Sequence, residues 1–394
     1  LATQTTPRPF RLWSLLAGSI IINTGSSFVW PLTTIYVHEY LHRPLTTAGF
    51  VIFLNCLFSL FGNMMGGQLF DHWRPVRTII LGIALNICTT GLLIGWHTWP
   101  IYPVLLMLTG FGNGMIYTCI NGFATEIPGR KPSYVFNLLY FTSSLGVVFG
   151  TLVVGYVLEL GIGYIFAAAC SMYALFMLIA LRNYRGHALR KGSRSAAKTP
   201  RGPLRLNIQV VMVLITIFTV WCFYEQWDSN LSAYMISRHL SVRAYSSVWT
   251  VNAVVIILVQ PVLTYLDSWF NDHLHGRLYT GLLLLAGSFV LLIGANSYWQ
   301  FISAMIILSL GEVSAMPAVA TFVSRFAPVG SSGRYQGLVQ AASSGGRALG
   351  PMTGAFIIQN YSYRLLFILA VSLQVVVCAA FALSNRLARN NKVK

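Results

Sequence analysis

Three carboxylates stand where water is scarce. Of the nine acidic residues, Glu225, Asp228 and Glu312 fall inside long apolar runs, whereas Glu39, Asp71, Glu126, Glu159, Asp267 and Asp272 fall at run ends or between runs. An ionisable side chain at bilayer depth costs roughly 2.5–3.5 kcal/mol on insertion scales, so such a residue is a functional candidate by default. The eight histidines all lie at run ends or between runs, which leaves the carboxylates to carry a proton. Burial raises a carboxyl pKa toward neutrality, and a group so tuned can take a proton on one side and release it on the other. At 1.5 Å per residue, Glu312 lies about 18 Å from Gln300, near the midplane of a core roughly 30 Å thick. From Val210, Glu225 lies about 22 Å and Asp228 about 27 Å along, toward the outer mouth. Three residues apart, these two share a helix face. Glu312 is therefore the principal proton-carrying candidate, with Glu225, Asp228 or both assisting. The alternative is that these acids serve only to pair within a helix bundle.

One cation shares that depth. Arg347, about 15 Å from Gly337, stands level with Glu312 on the next apolar run. A salt bridge between them would satisfy both charges and make the arginine a competitor of the proton, or of an anionic group, for Glu312. Aromatic residues supply a second kind of contact. Trp30, Tyr117, Tyr140, Trp221, Tyr224 and Trp227 can line an apolar cavity and meet cations through their ring faces, or can serve as interface anchors and packing.

Positioning these groups requires helices that cross a membrane. The chain has 394 residues, 56% of them hydrophobic and only 9% charged, against about 25% charged in soluble domains. That excludes a cytosolic enzyme, a nucleic-acid-binding domain and a disordered chain. Twelve apolar runs reach spanning length: roughly 11–37, 46–70, 76–97, 101–123, 134–158, 161–182, 207–236, 243–268, 277–295, 298–326, 335–360 and 362–385. They are continuous rather than alternating, which excludes a membrane β-barrel. The first run is too long and too poorly flanked for a cleaved signal peptide. Cys56, Cys88, Cys119, Cys170, Cys222 and Cys378 are scattered singly and read as small buried hydrophobes, with no metal implied.

The predicted architecture is all-α and integral to the membrane: a six-helix bundle over 1–182, a basic linker over 183–206 and a second six-helix bundle over 207–394. The linker holds Arg185, Arg190, Lys191, Arg194, Lys198, Arg201 and Arg205 and no acid. With both termini in the cytoplasm, most of the 26 Lys and Arg fall on the cytoplasmic side; the outer loops keep Arg43, Arg238, Arg243 and Arg364. This is the positive-inside pattern, and it explains the net charge of +17 without a nucleic-acid partner.

Short motifs sharpen the reading. Gly67-Gln68-Leu69-Phe70-Asp71, followed by Arg74 and Arg77, resembles the Gly-x-Leu-x-Asp signature of the major facilitator superfamily in its loop after the second span. His72 stands where that signature has arginine. Gly346, Gly350, Pro351 and Gly354 are similar to the Gly-x-x-x-Gly-Pro-x-x-Gly stretch of its antiporters, with a weaker version at Gly146, Gly150 and Gly155. Gly311-Glu312, Pro317 and Gly333-Arg334-Tyr335-Gln336-Gly337 resemble the tenth span and the loop after it in proton-coupled bacterial multidrug exporters, and Tyr224-Glu225-Gln226 in the seventh span also fits that branch. The arginine typical of the fourth span is absent (Leu106 lies near its place), and no carboxylate sits inside the fifth. The resemblance implies a major facilitator fold and a latch in which Asp71 faces a helix N-terminus and Arg77 a carboxylate, with Gly67 beside them. The glycine stretches act in helix packing.

The expected function is proton-coupled efflux of lipophilic, cationic drugs from the cell, by a monomer in the cell membrane, with protons and lipids as its other partners and no cofactor. One proton moving down about 100 mV releases roughly 2.3 kcal/mol, enough for about a fifty-fold gradient of a neutral solute. No Gly-x-x-x-x-Gly-Lys-Ser/Thr loop is present to bind ATP. Two alternatives stand beside it: an exporter or flippase of a lipid, peptide or sugar conjugate, and a membrane-embedded enzyme, against which counts the absence of His-x-x-x-x-Asp spacing.

Overall fold

The computed structural model describes residues 12–29, 33, 36–184 and 206–390. Trp30 and linker residues 185–205 lie outside the described residues. Among those described, all regular structure is helical, and twelve long helices set the frame: α1 Leu12–Val29, α2 Leu45–His72, α3 Pro75–Gly95, α4 Ile101–Thr125, α5 Pro132–Leu160, α6 Ile162–Ile179, α7 Ile208–Ser229, α8 Val242–Tyr265, α9 Leu274–Leu292, α10 Tyr298–Phe326, α11 Ser332–Asn360 and α12 Tyr363–Asn390. Local signals set their ends. Pro75 opens α3, where its missing N–H costs nothing. Asn207 and Ser241 cap α7 and α8 with side-chain oxygens that accept from Gln209 N and Ala244 N.

Among the described residues, the first run, expected over 11–37, gives a helix over Leu12–Val29 and a π turn at Tyr36–Tyr40. The seventh, expected over 207–236, breaks at Asn230 into α7 and a short helix Leu231–Ser237. Eleven of the twelve helices are long and apolar enough to cross a membrane. The exception is α11, 29 residues long but interrupted by Arg334, Gln336, Gln340, Ser343, Ser344 and Arg347.

The helices pack into two units. One holds the described residues up to Tyr184 together with Ala327–Ala341; the other holds Leu206 to Phe326 and the chain from Ala342 onward. The first ten residues of α11 thus pack with the first unit and the rest with the second. In the first unit α1 packs on α5 and α6, α4 on α2 and α3, and α3 on α6. In the second, α7 packs on α12, α10 on α8 and α9, and α9 on α12. Each unit repeats the other's pairing six helices on.

Glycines make the α1–α5 contact and its α7–α11 counterpart. A Cβ on Gly146 would lie 2.5 Å from the Ile20 carbonyl oxygen of α1, and one on Gly150 2.6 Å from Ser27 Cβ. On α11, a Cβ on Gly350 would lie 2.6 Å from the Cys222 carbonyl oxygen, while Gly346 abuts the Phe218 carbonyl and Gly354 the Gln226 side chain. Small residues four apart let helix backbones approach this closely. Gly155 lies in α5 outside the residues whose packing is described. Pro351 stands inside α11.

Polar side chains are buried beside the apolar core, and large apolar ones lie on the surface. Asn86, Thr118, Gln260 and Ser309 are fully buried, whereas Leu152, Leu258 and Phe356 are exposed. The described cysteines are all free, but Cys88, expected to be buried, is exposed on α3, and Cys170 and Cys222 are half-buried.

Candidate functional site

Glu312 sits in the middle of α10 and is 7% exposed. Its Oε2 accepts from the Tyr224 hydroxyl of α7 at 3.1 Å and from Asn252 Nδ2 of α8 at 3.1 Å. Asn252 also donates to Ser309 Oγ at 2.9 Å, one turn before Glu312 on the same helix. Two neutral donors on neighbouring helices thus hold the carboxyl in place. Such donors can rotate or retain their bonds whether or not the acid carries a proton, which suits a group that titrates in place.

Arg347 does not take the partner expected for it. Its Nε lies 3.7 Å from Glu225 Oε1, and its guanidinium carbon lies 3.8 Å from the centre of the Trp221 ring. Level position along the chain had suggested Glu312. The glycines flanking Arg347 press α11 onto α7, and α7 presents Glu225 and Trp221 at that height. Glu225 is buried, whereas Asp228, expected on the same face, is exposed. Trp227, expected to line a cavity, is instead fully buried against Phe289 of α9 and belongs to the core. Trp221 is half-buried and Tyr224 buried, their rings 4.9 Å apart. Gln226 secures α11 to α7 by donating to the Gly350 carbonyl at 2.8 Å.

A further charge supports the helix that carries Glu312. Pro317 has no N–H, so within α10 the Val313 carbonyl loses its usual donor four residues on. Arg277 of α9 supplies the replacement: Nη2 donates to Val313 O at 3.1 Å and Nε to Ser314 O at 3.0 Å. The arginine, expected at the cytoplasmic edge, is 5% exposed. Neighbouring side chains commonly re-satisfy a proline-broken membrane helix in this way.

In the first unit the corresponding helix, α4, carries no acid, and the polar side chains at its middle are neutral. Tyr117 of α4 donates to Asn23 Oδ1 at 3.2 Å and shares a hydrogen bond with Ser26 Oγ at 3.0 Å. One turn earlier, Asn113 Oδ1 accepts from Asn86 at 2.7 Å and from Tyr173 at 3.0 Å. Tyr140 is half-buried on α5.

At the end of α2, Asp71 accepts from the backbone N–H of Gly333 at 2.9 Å and of Arg334 at 2.8 Å, and Arg334 Nε lies 3.6 Å away. These amides belong to the first turn of α11, where no intrahelical acceptor exists and the helix dipole favours an anion. Gly67 makes the approach feasible, since a Cβ there would lie 2.6 Å from the Gly333 carbonyl oxygen. Arg77, expected to meet a carboxylate, lies over the Trp73 ring at 5.8 Å and makes no ion pair among the described residues.

Glu126, just past α4, was not singled out by the sequence. Its Oε1 accepts from Ser332 Oγ at 3.1 Å, while its buried Oε2 has no donor. Burial pushes its carboxyl up from 4.5 to about 7, the Ser332 hydroxyl holding it down and Asp71 adding to the rise. The folded protein therefore keeps this proton to a higher pH than the unfolded chain, and stability falls as pH rises from about 4.5 to about 7, then levels. Unfolding midpoints in detergent at about pH 5 and about pH 8 are expected to differ less in Glu126→Gln than in the wild type. An unchanged difference would show that Glu126 is not the group responsible.

The family model described as Major Facilitator Superfamily matches residues 15–274 and 268–393. A protein of Bacillus subtilis (strain 168), the uncharacterized MFS-type transporter YttB, is 32% identical over 390 residues, covering 98% of this chain and 96% of its own. Multidrug resistance protein MdtG of Proteus mirabilis (strain HI4320) is 21% identical over 369 residues, covering 90% of this chain and 91% of its own. Among solved structures, the human organic anion transporter MFSD10 (TETRAN) superposes with a TM-score of 0.76 at 12% identity, covering 94% of this chain and 98% of that one.

Proposed function

Because this chain belongs to the major facilitator superfamily, a family of membrane transporters and not of enzymes, we propose that it exports lipophilic, cationic drugs in exchange for protons. One observation carries the reading: the Glu312 carboxyl is buried at mid-helix and held by the neutral donors Tyr224 and Asn252. A buried acid can bind and release a proton at a cost that a cargo charge can offset. Glu225 and Asp228 assist, and Trp221, Tyr224, Tyr117 and Tyr140 supply ring faces for the drug. The multidrug relative supports the cargo class. In this reading residues 1–182 and 207–394 form the two six-helix bundles of a monomer in the cell membrane. Both termini and the basic linker 183–206 lie in the cytoplasm, and Gly67 and Asp71 latch the start of α11.

A second reading has one observation in its favour. The Arg347 side chain is 42% exposed, and a half-exposed guanidinium suits the anionic group of a lipid or sugar conjugate. Proton release separates the two. Purified full-length protein in weakly buffered detergent solution, with a pH-sensitive dye, is expected to release protons when tetraphenylphosphonium is added. No release on adding this cation, with release on adding an anionic conjugate, would overturn the first reading in favour of the second.

A further inference from the structure

The three side chains gathered where α7 meets α11 form a complete arrangement: an aromatic face, a buried carboxylate and a cation set between them. Trp221 supplies the face, with the guanidinium carbon of Arg347 3.8 Å from its centre. Glu225 supplies the counter-charge, 3.7 Å from Arg347 Nε. This combination recognises organic cations in general, because the ring quadrupole and the carboxylate both attract positive charge and neither requires an N–H donor. We propose that Trp221 and Glu225 form a binding site for a monovalent organic cation, and that Arg347 is its resident occupant, displaced when the cargo enters. The inference rests on the reading of this chain as an exporter of lipophilic cations.

The way Arg347 is held fits an occupant that leaves. Its Nε is buried yet makes no hydrogen bond, and 3.7 Å is too long for one. The usual strong mode of an arginine on a carboxylate, two parallel short hydrogen bonds, is not formed at this nitrogen. Charge and ring contact alone retain it, as they would a quaternary ammonium or phosphonium. Exposure differs sharply across the pair. The side chain of Glu225 is 8% exposed and that of Arg347 42%, so the carboxylate is enclosed while the arginine has an open path to leave. The backbone explains why an arginine is there at all. Gly346 and Gly350 bring α11 against the Phe218 and Cys222 carbonyls of α7, and from that distance the long stem reaches back across Trp221. A resident cation also keeps the buried Glu225 from standing uncompensated between transport cycles, a state that is strongly unfavourable in a low-dielectric interior.

The test is equilibrium binding of tetraphenylphosphonium to the purified full-length protein in detergent, with no gradient imposed. Arg347→Gln is expected to bind this cation about tenfold more tightly, the gain from removing a competitor held by one ring contact and one exposed ion pair. Adding Trp221→Ala to Arg347→Gln is expected to abolish the gain. Arg347→Lys, which keeps the charge but gives up the planar contact with the ring, is expected to fall between, and it decides the matter if the glutamine variant does not fold. Tetraphenylborate, an anion of the same shape, is the control. If Arg347→Gln leaves tetraphenylphosphonium affinity unchanged or weaker, the proposal fails; if it instead removes tetraphenylborate binding, Arg347 is an anion anchor and the proposal fails as well. Because binding is read without a gradient, tighter cation binding without proton release would uphold this site while overturning proton exchange. Proton release without tighter binding would do the reverse.

Discussion

Glu312→Gln is expected to abolish uphill drug movement. Glutamine has the shape of glutamic acid, and its Oε1 can still accept from Tyr224 and Asn252, so the packing of α7, α8 and α10 around it is kept. What it cannot do is carry a proton. A pH difference of about 1.7 units is worth roughly 2.3 kcal/mol per proton, which sustains about a fifty-fold gradient of a monovalent cation exchanged one for one. The variant is expected to bring that ratio to about one in proteoliposomes with an imposed proton gradient. Exchange of labelled for unlabelled drug across the same membranes, which needs no net proton movement, should persist. That persistence separates a lost proton carrier from a lost fold. A variant that still concentrates drug as the wild type does would remove Glu312 from the mechanism.

Asp71→Ala is the second substitution with a large expected effect. Asp71 accepts two backbone amides of α11 and faces Arg334. Hydrogen bonds to a charged group contribute about 1.5–3 kcal/mol each, so alanine removes at least about 3 kcal/mol from the arrangement in which α11 begins on α2. A shift of that size changes a conformational population about a hundredfold. Because α11 continues from the first unit into the second, its anchoring bears on the transport cycle. The initial rate of drug–proton exchange is expected to fall at least about tenfold, and Asp71→Asn, which retains one acceptor oxygen, should fall less. An alanine variant with the wild-type rate would show that the anchor plays no part in turnover.

Much of the frame was legible in the sequence because hydropathy and length are properties of single helices. A run of apolar residues long enough to span lipid must satisfy its own backbone, and only a helix does so. Glu312 was legible for the same reason, as an ionisable residue deep in such a run. Partners were not legible from depth. Counting residues placed Arg347 level with Glu312, but which of two acids a side chain meets depends on the rotation of its helix and on the neighbour it packs against. The signal that decides it was present in Gly346, Gly350 and Gly354, a stripe that flanks Arg347 and requires a close partner helix. The stripe at Gly146 and Gly150 packs on α1, and the repeat of the halves then makes α7 the partner of α11. Asn252 and Arg277 were missed for different reasons. Asn252 is a neutral residue in an apolar run, with nothing to mark it until its neighbour is known. Arg277, the first residue of the ninth apolar run, counted only as one of the cytoplasmic charges, whereas Pro317 had already announced a carbonyl in need of a donor. Trp227 shows the converse: ring type says nothing about which way a helix turns its side chains, and this one faces the core.

The polarity of α11 bears on how the protein is made. Glycines, glutamines, serines and two arginines leave it too hydrophilic to partition from the translocon into lipid unaided, since each charged residue at the helix centre opposes insertion. Its successor α12 is the most apolar span of the chain. The two are therefore expected to enter the bilayer as a hairpin, α11 waiting in the channel or at its lateral gate until α12 has been synthesised. Biogenesis of this half thus depends on a segment that emerges from the ribosome only after α11 is complete.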